Sequence, residues 1–78
     1  MDIKDADRIM KSLNEVAAAA ERGTTPQEHL ALQHQRIALG QEAVAWRDAN
    51  PRDGATWDLL QSHRVRAENA LLQHPPKG

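Results

Sequence analysis

The sequence predicts an all-α fold, an antiparallel helical hairpin or a three-helix bundle, from three observations. Apolar residues recur at alternating spacings of three and four, two short breaks bearing Gly and Pro divide the chain into three stretches of similar length, and no run alternates β-branched with polar residues. Helices of matched length joined by short turns favour antiparallel neighbours. The 78 residues make a single domain near the lower size at which one apolar core outweighs chain entropy. Thirteen apolar residues are alanines and only 18 are large, with no Phe, Tyr or Cys. A core this small usually needs a disulfide, a metal or a partner. The first is excluded, so completion by dimerisation or by docking on another protein is expected.

The first helix is predicted over residues 2–22. Ile3, Ala6, Met10, Leu13, Ala17 and Ala20 form a heptad seam, widened by Ile9 and Val16. Asp2, Asp5 and Asp7 near its start and Arg22 at its end suit the helix dipole. Gly23 suits a left-handed C-terminal cap.

The second helix is predicted over residues 26–49 and opens on the strongest local signal in the chain. Thr25 is positioned as N-cap, Pro26 at the first helical position and Glu28 at the third, the pattern of a capping box. At about 100° per residue, Leu30, Ile37 and Val44 lie on one stripe. Leu32, Leu39, Ala43 and Trp46 lie on another, about half a turn away. Ala31, Ala38 and Ala45 join the two into an apolar arc of roughly 260°. Two neighbours in a minimal bundle do not cover so broad an arc. Part of it is therefore expected to meet another chain. Gly40 lies inside this helix and marks a close contact, a soft point or a tolerated surface glycine.

Asn50-Pro51-Arg52-Asp53-Gly54 ends that helix, and the third is predicted over residues 55–74 with Asp53 or Thr56 as cap. Its seam is Trp57, Leu60, Arg64, Ala67, Leu71 and His74. With two polar members it is expected to pack most weakly. Residues 75–78 are expected to fray after Pro75-Pro76. In an antiparallel pair, Trp46 and Trp57 stand level beside the turn, either as an aromatic plug on the core or as an exposed partner contact.

Chemistry-bearing patterns are sparse. His29, His34, His63 and His74 are the only nitrogen ligands, and the spacing of five between the first two does not align their rings on a helix. Ser12 and Ser62 lack a nucleophile elbow, and no phosphate-binding loop or dinucleotide fingerprint occurs. The sequence therefore predicts no enzyme, metal, cofactor or small-molecule substrate. A net charge of −1 gives no general attraction to nucleic acid. His63, Arg64 and Arg66 form a basic cluster that keeps a small DNA-binding regulator as a competing reading, although they point in different directions around the helix. The acidic N-terminal residues and the short apolar runs predict neither a cleavable signal nor a membrane span, and the missing cysteines fit a cytoplasmic site of action. Gln33, Gln35, Gln41, Gln61 and Gln73 are either interfacial hydrogen-bonding groups or solvated helix formers.

The segment Arg22-Gly23-Thr24-Thr25-Pro26-Gln27-Glu28-His29-Leu30-Ala31-Leu32-Gln33 resembles the start of the second helix in small type III secretion proteins: needle and inner-rod subunits and the short co-chaperones of needle subunits. It covers about twelve residues, most of which any good helix start requires. The resemblance implies a coiled-coil hairpin that holds a secretion partner through Leu30, Leu32, Ile37 and Leu39. The ending Pro75-Pro76-Lys77-Gly78 departs from a polymer-forming subunit and agrees better with a co-chaperone.

Together these features predict a protein-binding module, such as a co-chaperone, adaptor or small inhibitor, which captures another protein or forms a homodimer. Leu30, Leu32, Ile37, Leu39, Val44 and Trp46 are the candidate contact residues.

Overall fold

A computed structural model describes residues 3–77 as three helices, α1 (Ile3–Arg22), α2 (Pro26–Ala49) and α3 (Gly54–Gln73). Among the described residues there is no strand. The three-helix form of the expected fold is the one adopted, elongated to 45 × 16 × 16 Å. Residue 2, the expected start of α1, lies outside the described residues.

Cross-helix contacts fix the direction of each helix. Arg8 on α1 reaches Glu42 on α2, and Arg36 on α2 reaches Glu68 on α3, so each sequential pair runs antiparallel. Asn14 meets His63 and Glu21 meets Arg66, so α1 and α3 run parallel. This is an up-down-up bundle in which the first and third helices lie side by side.

The core follows the seam of α1 closely. Ala6, Ile9, Leu13, Val16, Ala17 and Ala20 are buried and Met10 packs against them. Leu60, Ala67, Ala70 and Leu71 come from α3, and Leu39, Ala43 and Trp46 from α2. The α1–α3 interface is the most extensive of the three, and α2–α3 the least. The expectation that the third helix packs most weakly is thus corrected. Its polar seam members lie toward the edges: His74 is the C-cap and Arg64 faces α2, while the apolar members between and beside them reach α1. Ala17, Ala20, Ala67 and Ala70 contribute almost no side-chain bulk, which lets two parallel backbones approach closely.

The caps form as the sequence specifies. Glu28 N–H donates to Thr25 Oγ1 at 3.2 Å, and Thr25 N–H donates to Glu28 Oε1 at 2.9 Å. Gly23 has φ of 94° and its N–H donates to the Ala20 carbonyl at 3.1 Å, closing α1 in the left-handed region that favours glycine. Asp53, the first of the two candidate caps of α3, accepts from both the backbone N–H and the hydroxyl of Thr56.

The tail departs from its expected fraying. Lys77 N–H donates to the Thr24 carbonyl at 2.9 Å, and its aliphatic chain lies where a side chain on Gly23 would stand. Two prolines stiffen the return and direct it across the α1–α2 turn. Gly78 lies outside the described residues.

Glu28 provides a pH-dependent element. The backbone hydrogen bond from Thr25, followed by the side-chain bond, lowers the Glu28 carboxyl below its usual range. A carboxyl with a lower value when folded contributes stability above its unfolded value and loses that contribution as pH falls through the folded one. Acidification below the ordinary carboxylate range is expected to loosen the first turn of α2, read from the Thr25 and Glu28 amide shifts. Glu28→Gln retains an acceptor and is expected to flatten that dependence; an unchanged titration would remove Glu28 as its source.

Candidate functional site

The two stripes of α2 have separate fates. Leu39, Ala43 and Trp46 are buried and Leu32 packs partly against the core. Leu30, Ile37 and Val44 face outward with 56%, 47% and 41% of their surface exposed. Of the six candidate contact residues, three therefore belong to the chain's own interior or its margin. Leu30, Ile37 and Val44 are the candidates that remain on the surface. Ala31, Ala38 and Ala45 are also exposed, so the outer part of the broad apolar arc has no cover among the described residues.

Ile37 and Val44 form one wall of an open groove of about 490 Å³ between α2 and α3. Gly40 lies between them at a position where a side chain would narrow the space. Trp57, Gln61 and Arg64 supply the α3 wall. Toward the other end, Arg36 and Glu68 continue into a second depression lined by Gln33 and Leu72, and Leu72 is 77% exposed. The two indoles have different roles. Trp46 fills the core, whereas Trp57 is half-buried on the groove with the Arg47 guanidinium 4.9 Å from its ring centroid.

A polar bridge spans the groove. Arg36 Nη1 and Arg64 Nη1 both donate to Glu68 Oε1, at 3.1 and 2.7 Å. Each arginine is braced from the same helix by a glutamine three residues earlier, with Arg36 Nε donating to Gln33 Oε1 at 3.2 Å and Arg64 Nε to Gln61 Oε1 at 2.7 Å. Two of the six glutamines thus orient arginines. The repeated Gln-x-x-Arg spacing at 33–36 and 61–64 was the sequence signal for this bridge, and the Arg64–Glu68 spacing of four was another. Neither shows which face of α2 meets which face of α3.

His63 and Arg66, the other basic residues of the α3 cluster, face α1. His63 Nδ1 lies 2.9 Å from Asn14 Oδ1, and Arg66 Nη1 donates to the same oxygen at 3.2 Å. The basic cluster of the third helix therefore divides, with Arg64 on the α2 side and His63 and Arg66 on the α1 side. Among the described residues no group of three or more His, Cys, Asp or Glu side chains is gathered to hold a metal. No described helix is long and apolar enough to cross a membrane.

Gly40 offers a direct test of the groove wall. An added Cβ would meet Arg64 Cδ at 3.8 Å, an ordinary contact, and the backbone there is regular helix. Gly40→Ala is expected to stabilise the fold by about 0.5 to 1 kcal/mol, through reduced freedom of the unfolded chain. Thermal denaturation should show a rise of a few degrees, about 4 to 8 °C per kcal/mol in a domain of this size. A fall would mean that the backbone at Gly40 is under a constraint that the helix geometry does not reveal.

No protein-family model matches the chain, and comparison with curated proteins and with solved structures gives no significant match. Residues 22–33 form the α1–α2 turn and the capped start of α2, where Thr25, Pro26 and Glu28 make the capping box.

Proposed function

We propose that this chain is a non-enzymatic protein-docking module whose α2–α3 face receives a helical segment of a partner. The observation that carries this reading is the exposed stripe Leu30, Ile37 and Val44, of which Ile37 and Val44 line a groove with an aromatic wall. These three side chains recur every seven residues, about two helical turns, the spacing at which a partner helix can seat successive apolar anchors. An uncovered apolar stripe gains free energy when a partner removes it from water, at about 25 cal/mol per Å². A co-chaperone, an adaptor and a small inhibitor all use such a face. The cysteine-free sequence supports a cytoplasmic site of action.

The double variant Ile37→Asp/Val44→Asp tests the reading. Both positions are solvent-exposed, so the variant is expected to keep its helical circular dichroism and cooperative melting while losing partners captured by the wild type in its native host. Quantitative proteomics on matched baits gives the comparison. Identical captured sets from the two baits would exclude this face as the docking surface.

A further inference from the structure

We infer that the α2–α3 groove is built for an acidic amphipathic helix of another protein rather than for a second copy of this chain. The inference rests on the docking reading above and adds the chemistry of the occupant. Three arginines line the groove, Arg36, Arg47 and Arg64, against one carboxylate, Glu68. The chain as a whole carries a net charge of −1, so this is a local concentration of positive charge and not an overall bias.

The groups are arranged to accept further negative charge. Arg36 and Arg64 share a single oxygen of Glu68, which leaves their combined charge only half balanced. A guanidinium has five N–H donors in a planar fork, so two of them can hold a second carboxylate without releasing the first. Gln33 and Gln61 fix the Nε edges of the two forks and lower the entropy lost when a carboxylate arrives. Arg47 also contacts Asp48 at 3.5 Å, but Asp48 does not line the groove. At contact range this cluster prevails over the small net charge of the chain, because physiological salt screens charges beyond about 8 Å.

Apolar groups lie within the same strip. Ile37 and Val44 stand about 10.5 Å apart along α2, at 1.5 Å per residue, with the Trp57 ring on the facing wall. An occupant helix with apolar anchors on one face and Asp or Glu along its margins satisfies both sets of groups. A second copy does not. A twofold contact across the groove would gather six arginines against two glutamates, and like charges brought together at an interface oppose association.

Selection of binders from a random library of helix-length peptides, displayed against the full chain, provides the test. Binders are counter-screened on Ile37→Asp/Val44→Asp to isolate those that use this face. The expected binders carry excess Asp and Glu around an i, i+4, i+7 apolar pattern. Their affinity should fall about tenfold or more when Arg36 and Arg64 become Gln, and also in Arg47→Gln, which leaves the Glu68 bridge intact. Raising salt should weaken them and leave apolar binding elsewhere unchanged. Face-dependent binders that are neutral or basic would overturn the acidic occupant while the docking reading stands. Binders indifferent to Ile37 and Val44 would overturn both. A dimer in sedimentation equilibrium that Ile37→Asp dissolves would assign the groove to a second copy and overturn the inference.

Discussion

Leu39→Asp is expected to leave the chain unfolded at every concentration, whereas Ile37→Asp, two residues away on the same helix, is expected to leave it folded. Leu39 is 5% exposed and belongs to the continuous core with Ala43 and Trp46, while Ile37 is 47% exposed. An aspartate at position 39 must either be buried as an ion without a partner or take up a proton, and either course costs several kcal/mol. A domain of this length has a total stability of about 4 to 12 kcal/mol at the usual 0.05 to 0.15 per residue. The charge therefore consumes most or all of it. At Ile37 the carboxylate stays in water, and the change should lie within about 1 kcal/mol. Circular dichroism over a concentration series separates the two outcomes. A helical Leu39→Asp monomer would mean that this stripe, too, is intermolecular.

Leu60→Ala is expected to have the next largest effect, a loss of about 3 kcal/mol or more, within the 2 to 5 found for buried leucine truncations. Leu60 is fully buried on α3 and lies in the same core as Leu13 and Val16 of α1. Because the neighbouring backbones are held by helix hydrogen bonds, the cavity collapses only in part. At about 4 to 8 °C per kcal/mol the melting temperature should drop by roughly 12 to 24 °C. Leu59→Ala is the internal control: that side chain is 53% exposed and its truncation should shift melting by only a few degrees. Equal effects at 59 and 60 would contradict the orientation of α3.

Much of this arrangement is legible in the sequence because helical periodicity depends only on local spacing. The seam of α1, the capping box at Thr25 and the glycine cap at Gly23 all require residues within one or two turns of each other, and each appears where its pattern predicts. Leu60, Ala67 and Leu71 follow from the same rule on α3. The two stripes of α2 are equally legible, but which one turns inward is not. Both have large side chains at helical spacing, and the choice is made by the positions of α1 and α3. The same limit conceals the groove. Arg36 and Glu68 are 32 residues apart, and only the register of α2 on α3 makes them partners. The return of Lys77 to Thr24 is hidden for a related reason, since Pro75-Pro76 marks the end of a helix and says nothing of the direction taken afterwards.

The burial along α2 is uneven, with consequences for local opening. Its buried residues, Leu39, Ala43 and Trp46, all lie in the second half, and from Pro26 to Ala38 only Leu32 packs against the core. The first half is held mainly by its capping box and its own backbone hydrogen bonds, with Leu32 and the Arg36–Glu68 bridge as its ties to the bundle. Amide hydrogens there should exchange by a local opening of lower free energy than global unfolding, while those of α1 and the facing part of α3 should exchange only when the whole bundle opens. Leu30 lies in the loosely held half and Val44 in the anchored half. A partner seated along the stripe would couple the two halves, and its arrival would be recorded as slowed exchange in the first three turns of α2.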